Sequence, residues 1–330
     1  MLLNSALKNY TCIILIGFTG LLIYVFNNVP NIPTADEWDL SYFVERFYEN
    51  KLTISDLMIP HNECRMPYPH IINLCILFMT RWHSFTLISF NLILLLVFYF
   101  TLRGYTYKAI NPQKTQVFGV GFILVFLVIY SLKQYENIVL SFDLNYYLSV
   151  ISAFWSLISL RKITWKNIII SMIWAHIATY SYASGITVWP LIICLVWLLG
   201  NDSLQNKILY TLTVSVVFAL NLVLYVNDYH PASSTVITKS TNPVELVPYA
   251  LAFLSNNFTT SSKTAIILTL VQFVSIGLSM LVLLKNDKVK FFNAVPIYAY
   301  GFWAVIVGFM VAHEEPHLEL LRHYHQDIAL

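Results

Sequence analysis

The sequence predicts an all-α polytopic membrane protein of about nine transmembrane helices. Three observations lead there. Only 11% of the 330 residues are charged and 58% are hydrophobic, whereas a soluble domain carries roughly 25% charged residues. Most of the surface must therefore face something other than water. The mean hydropathy is +0.66. Apolar runs cover residues 11–26, 84–102, 116–132, 146–160, 186–199, 208–226, 264–284 and 291–312, and most approach the ~20 residues that cross a bilayer. Basic residues, finally, are spread unequally between alternate loops. No internal repeat, low-complexity tract or Gly/Ser linker interrupts the chain, so residues 1–330 read as a single transmembrane domain.

The first apolar stretch follows Lys8 in the manner of a signal peptide, but "NNVPNIPTADE" offers no small-x-small cleavage site. Residues 11–27 are therefore expected as a retained helix. Residues 28–83 then form the first large loop. It opens on "TADEWD", Thr34 to Asp39, where Asp36, Glu37 and Asp39 place three carboxylates in a chain poor in charge. Thr34 and Glu37 have the spacing of a capping box. Leu40, Phe43, Val44, Phe47 and Tyr48 follow on one helical stripe, which predicts an amphipathic helix lying on the membrane surface.

The topology turns on "IINLCILFM", residues 71–79. Nine helical residues span about 14 Å, under half of a ~30 Å hydrocarbon core. Fusing them to the next run would bury Arg81 and His83, and a central Arg costs ~2.5–3.5 kcal/mol even on the lenient insertion scale. Residues 68–80 are therefore expected to form a short helix in or against the interface. The downstream loops agree with this choice. One set carries Arg103, Lys108, Lys114, Arg161, Lys162, Lys166, Lys207, Lys285, Lys288 and Lys290; the other carries only Lys133, Lys239, Lys263 and Arg322. Ten against four obeys the positive-inside rule if 71–79 does not cross. The expected arrangement is a cytoplasmic N-terminus, an extracytoplasmic C-terminus, and extracytoplasmic segments at 28–83, 133–144, 227–262 and 313–330. The turn "SYASG", 181–185, lies on the same side.

Acids in a first helical turn complement the helix dipole without further purpose. Three acids beside Trp38 exceed that need. A carboxylate at the membrane surface beside an aromatic ring suits general-base work on a sugar hydroxyl. The stretch "IPHNECRMPYPH", 59–70, sets His61, Glu63, Arg65 and His70 among three prolines, which stiffen the loop. An Arg flanked by His is a natural binder of a phosphate oxyanion. The competing readings are an Arg65–Glu63 pair or a lipid headgroup contact. The His and Glu spacing matches no standard metal pattern, and a Cys64–Cys75 disulfide is conceivable. His176 and Gln272, inside apolar runs, read as interhelical hydrogen-bonding groups.

An acidic "DEW" after the first helix, then "HNECR" running through prolines into a short apolar helix, resembles membrane glycosyltransferases of the GT-C superfamily. "ENIVLSFDLNYY" (136–147) and "SYASGITVWP" (181–190) fit the same resemblance, which covers roughly residues 30–190. It implies a GT-C-like fold with juxtamembrane helices in the first extracytoplasmic loop. It also implies a polyprenyl-phosphate-linked sugar donor, inverting single displacement, and a catalytic acid at Asp36 or Glu37. Cys64 stands where a second His is commoner in the family, and the chain has fewer helices than relatives usually carry. In this reading Arg65, with His61 assisting, stabilises the charge on the leaving phosphate. Trp38 stacks on a sugar, and Asp39 either orients the base or holds a divalent cation (Mg or Mn). Glu63, His70, Glu136, Asn137 and Asp143 line the sugar or acceptor side. Arg322 and Tyr324 loosely match an Arg-Tyr pair of relatives. The acceptor would be a cell-surface glycan or lipid-linked molecule, and the location a bacterial inner membrane. Two other classes compete: a non-catalytic partner subunit of a glycan-assembly machine, which needs no acid cluster, and a transporter or flippase, which would show midplane charges, broken helices and a repeat.

Overall fold

The computed structural model describes residues 2–62, 64–111, 115–131, 135–200, 202–229, 243–255 and 261–314. The chain runs through α1 (Leu2–Asn28), a 3-10 turn (Ala35–Asp39), α2 (Leu40–Tyr48), α3 (Ile54–Leu57), β1 (Pro60–His61), β2 (Cys64–Arg65) and α4 (Pro67–Thr80). It continues through α5 (Ser84–Ile110), α6 (Thr115–Ile129), α7 (Tyr135–Val139), a 3-10 turn (Ser141–Asp143), α8 (Leu144–Ser159) and α9 (Trp165–Thr179). A third 3-10 turn (Ala183–Thr187) leads into α10 (Val188–Leu199), α11 (Leu204–Val226), α12 (Pro243–Ser255), α13 (Ser262–Asn286) and α14 (Lys288–Glu314).

Among the described residues five helices are long and apolar enough to cross a membrane: Tyr10–Asn28, Ser84–Ile110, Leu204–Val226, Ser262–Asn286 and Lys288–Val311. The other four expected spans are helical but shorter, at 15 (α6), 16 (α8), 15 (α9) and 12 (α10) residues, below the ~20 that a perpendicular crossing takes. Outward-facing stripes such as Leu212, Val216, Leu220 and Val223 on α11 are well exposed, as on a helix solvated by lipid.

The short helix expected at 68–80 is present as α4, 14 residues long, opened by Pro67 and Pro69 in its first turn. Proline is tolerated there because those amides have no intrahelical partner. The helix stops at Arg81, in left-handed backbone, and does not fuse with α5. The capping box expected at Thr34 does not form: the Thr34 side chain makes no cap bond, because Glu37 bonds elsewhere. A capping box stands instead at Thr53 and Asp56, at the start of α3. The Thr53 backbone N–H and hydroxyl, with Arg46 close by, hold the Asp56 carboxyl below the usual carboxylate range. Segment 227–262, expected to be a loop, contains α12. Leu246, Tyr249, Ala250 and Phe253 form its helical stripe; Pro248 and the neighbouring polar residues hid that spacing.

The chain forms two compact units, Met1–Ile151 with Ile177–Ala183, and Ser152–His176 with Ser184–Leu330. In the first, stripes at helical spacing interlock: Ile14, Phe18 and Val25 of α1, Ile88, Leu92, Leu95 and Tyr99 of α5, and Phe122, Phe126 and Tyr130 of α6. The two buried phenols are satisfied across helices, Tyr99 Oη donating to Phe122 O (2.9 Å) and Tyr130 Oη to Leu92 O (3.0 Å). Gly119 of α6 lets α1 approach: a Cβ there would lie 2.3 Å from the Tyr10 ring. Gly119→Ala is therefore expected to destabilise by about 1–3 kcal/mol through overpacking. Denaturant titration in detergent measures it.

In the second unit α12 packs on α13, where Thr269 Oγ1 bonds Leu251 O (2.6 Å) and Ser255 Oγ (2.7 Å). His176 pairs with Asn221 of α11, an interhelical bond of the kind expected for it.

Candidate active site

A 3-10 helix has three residues per turn, so residues i and i+3 share a face. That period sorts "ADEWD" into three directions. Asp36 and Asp39 lie on one face, and both reach His61 of β1: Nε2 is 3.4 Å from Asp36 Oδ2 and Nδ1 is 3.1 Å from Asp39 Oδ2. A single imidazole thus stands between two carboxylates, donating from one nitrogen when neutral and from both when protonated. The two aspartate side chains are 59% exposed. Glu37 takes the second direction with Leu40, into the interior. Its Oε1 accepts from Trp82 Nε1 (3.0 Å) and Ser84 Oγ (2.8 Å), and the residue is 1% exposed. Trp38 takes the third, exposed and beside Trp82.

His61 is aimed by a two-residue hairpin. β1 and β2 pair antiparallel with Pro60 opposite Arg65 and His61 opposite Cys64, and Asn62 in the turn has φ 51°. The His61 ring also rests on Phe142, centroids 4.8 Å apart. Beside Phe142 stands a further acid. Asp143, buried at 7% exposure, has its carboxyl raised to about 7 by burial and, secondarily, by the negative charge of Asp36. Desolvation disfavours the charged form and a like charge adds to that. Asp143 therefore keeps its proton up to about neutral pH.

A cluster beneath these groups fixes their positions: Leu40, Phe43, Cys64, Met66, Leu74, Leu77, Leu87 and Phe142, with Tyr182 and Ala183 packed against it. The Ala183 amide donates to Cys64 Sγ (3.5 Å), and Tyr146 meets Tyr182 at 4.4 Å. Cys64 and Cys75 are both free thiols, so the conceivable disulfide is not formed.

The remaining expected site residues are placed as follows. Arg65 is buried, 5% exposed, with Nη1 donating to Met58 O (2.9 Å). His70 is 2% exposed, packs on Phe43 and bonds Leu57 O through Nδ1 (3.3 Å). Burial lowers it to about 4, so it is neutral at physiological pH and part of the core rather than of an open surface. Asn137 is exposed, its carbonyl accepting from Tyr147 Oη (2.6 Å). Glu136 opens α7, with its side chain outside the described residues; Glu63, Arg322 and Tyr324 lie outside them altogether. Among the described residues no three His, Cys, Asp or Glu side chains gather as metal ligands would. Trp82 and Ser84 escape a reading of the sequence. Trp82 sits in the link between α4 and α5 and Ser84 opens α5, where the only signal is the charge of "RWH".

No protein family, curated protein or solved structure matches this chain.

Proposed function

We propose that the chain is a glycosyltransferase that moves a sugar from a polyprenyl-phosphate donor to a cell-envelope acceptor at the extracytoplasmic face of the membrane. The observation that carries this reading is the gathering of Asp36 and Asp39 on His61, whose ring rests on Phe142 next to the buried Asp143. Asp36 takes the proton of the acceptor hydroxyl as that oxygen attacks the anomeric carbon from the face opposite the phosphate. Asp143, balanced near neutrality by burial, relays the proton and limits the charge that accumulates on Asp36. An acid tuned close to working pH suits proton transfer in such a step. His61 holds Asp36 and Asp39 in register. Arg65, on β2 of the hairpin and bonded to Met58 O, supplies positive charge towards the leaving phosphate. Glu37 stands aside from proton transfer, because its carboxylate is buried and engaged by two donors.

The test is transfer of a labelled sugar from synthetic polyprenyl-phosphate donors to water or glycan acceptors, with the full chain in liposomes. Release of polyprenyl phosphate coupled to an inverted product supports the reading. A folded chain that releases none from glucose, mannose, galactose or aminosugar donors overturns it.

The raised Asp143 also fixes a pH dependence of stability. An unfolded Asp titrates near ~3.9, below the folded value of about 7. The folded state therefore binds the proton more tightly, and stability falls as pH rises from about 4 to about 7. Asp143→Asn removes that slope. Its melting temperature should gain on wild type across that window, with the difference constant above it; parallel melting curves from pH 4 to 7 would refute the shift.

A further inference from the structure

The link between α4 and α5 holds two consecutive non-glycine residues in left-handed backbone, Arg81 (φ 56°) and Trp82 (φ 60°). A helix end that needs positive φ ordinarily takes Gly or Asn. A tryptophan kept there is an outlier that asks what its side chain does. Both of its N–H groups are used inside the protein: the backbone N donates to Leu77 O (3.0 Å) and Nε1 to Glu37 Oε1 (3.0 Å). Glu37 is itself 1% exposed and also receives Ser84 Oγ. The Trp82 indole cannot turn away without leaving that buried carboxylate short of a donor. The ring is half-buried, packed in part on the cluster beneath the acids, and it stands beside Trp38, with centroids 6.3 Å apart and planes tilted by 42°. Trp38 is 58% exposed and lies on the face of the 3-10 turn next to that of Asp36 and Asp39.

We propose that Trp38 and Trp82 form an aromatic corner that receives the C–H face of a pyranose ring, and that Glu37 is the positioning residue that fixes it. This rests on the sugar-transfer reading. An indole whose N–H is already engaged offers an electron-rich face and no donor. That surface suits the polarised C–H bonds on the flat side of a sugar, and leaves the hydroxyl rim to Asp36 and Asp39. Tryptophans that only mark the membrane interface need no buried carboxylate to lock them, and no left-handed backbone.

The test uses the full chain in phosphatidylethanolamine/phosphatidylglycerol nanodiscs with 5-fluorotryptophan incorporated. The 19F resonances of residues 38 and 82 are assigned with Trp38→Phe and Trp82→Phe, then followed during addition of methyl glucoside, methyl mannoside and methyl galactoside. At least one pyranoside should shift both resonances saturably. Trp38→Ala, at an exposed position, leaves the buried Glu37 bonds in place and should weaken binding about tenfold, the loss of ~1.4 kcal/mol expected for one aromatic contact. Glu37→Gln should move the Trp82 resonance and weaken binding, with the other tryptophan signals unmoved. No saturable shift with any pyranoside, or Trp38→Ala binding as wild type, overturns the proposal. So does a response to lipid composition alone, which assigns both rings to the membrane belt. A wild-type chain that binds a pyranoside yet transfers no sugar removes the transferase reading and leaves the corner standing.

Discussion

Asp36→Asn is expected to lower sugar transfer ~10²–10⁴-fold, the range of a lost general base, while the melting temperature stays within a degree or two of wild type. The two halves of that expectation come from one observation. Asp36 is well exposed, and its side-chain hydrogen bond among the described residues is to His61 Nε2, at 3.4 Å; an exposed contact of this kind contributes about 0–1 kcal/mol to stability. Asn keeps the shape and a carbonyl acceptor for His61, so the turn stays in place and only the ability to accept a proton is lost. Initial rates with a fixed polyprenyl donor, alongside thermal unfolding, separate the two. Unchanged transfer by a folded Asp36→Asn chain would move the base to Asp143, the other member of the pair.

Glu37→Leu gives the opposite signature. Its carboxylate is buried and receives the Trp82 indole and the Ser84 hydroxyl. Removing it orphans two buried donors at ~1–3 kcal/mol each, so a loss of about 2–5 kcal/mol is expected. That is a large part of the ~5–15 kcal/mol by which a folded domain is stable. Glu37→Gln retains a carbonyl oxygen in the accepting position and should lose less than half as much. Urea titration in mild detergent reads both. If Glu37→Leu unfolds with wild type, the two hydrogen bonds are not formed in solution.

Much of the helical architecture is legible in the sequence because helical periodicity survives without a fold in view. The end of α4 follows from the physics of Arg81 and His83, which a fused helix would bury. The converging stretches at 36–39, 61, 143 and 181–183 can each be picked out by their composition. How they divide their labour cannot. Asp36 and Glu37 are neighbours of the same chemical type, and only the three-fold period of the turn sends one to solvent and the other to the core. Asp143 reads as one polar loop residue among several, because burial, which tunes it, leaves no mark on a sequence. His70 and Arg65 carry a polar signal yet belong to the interior beneath the hairpin. The helix α12 is obscured by Pro248, whose cost to a helix ordinarily rules one out but which sits within its first two turns.

The cluster under the acids draws on Leu40 and Phe43, on Cys64 and Met66, on Leu87, on Phe142, and last on Tyr182 and Ala183. During synthesis those pieces emerge in that order, with whole apolar helices inserted between them. A nascent chain that has delivered Asp36 still lacks Asp143, and one that has delivered Asp143 still lacks the segment that closes on Cys64. Such long separations make closure slow relative to local helix formation. The acid pair is therefore assembled by the insertion of later helices, and arrest of translation before residue 183 would leave the early loop without the floor on which its aspartates stand.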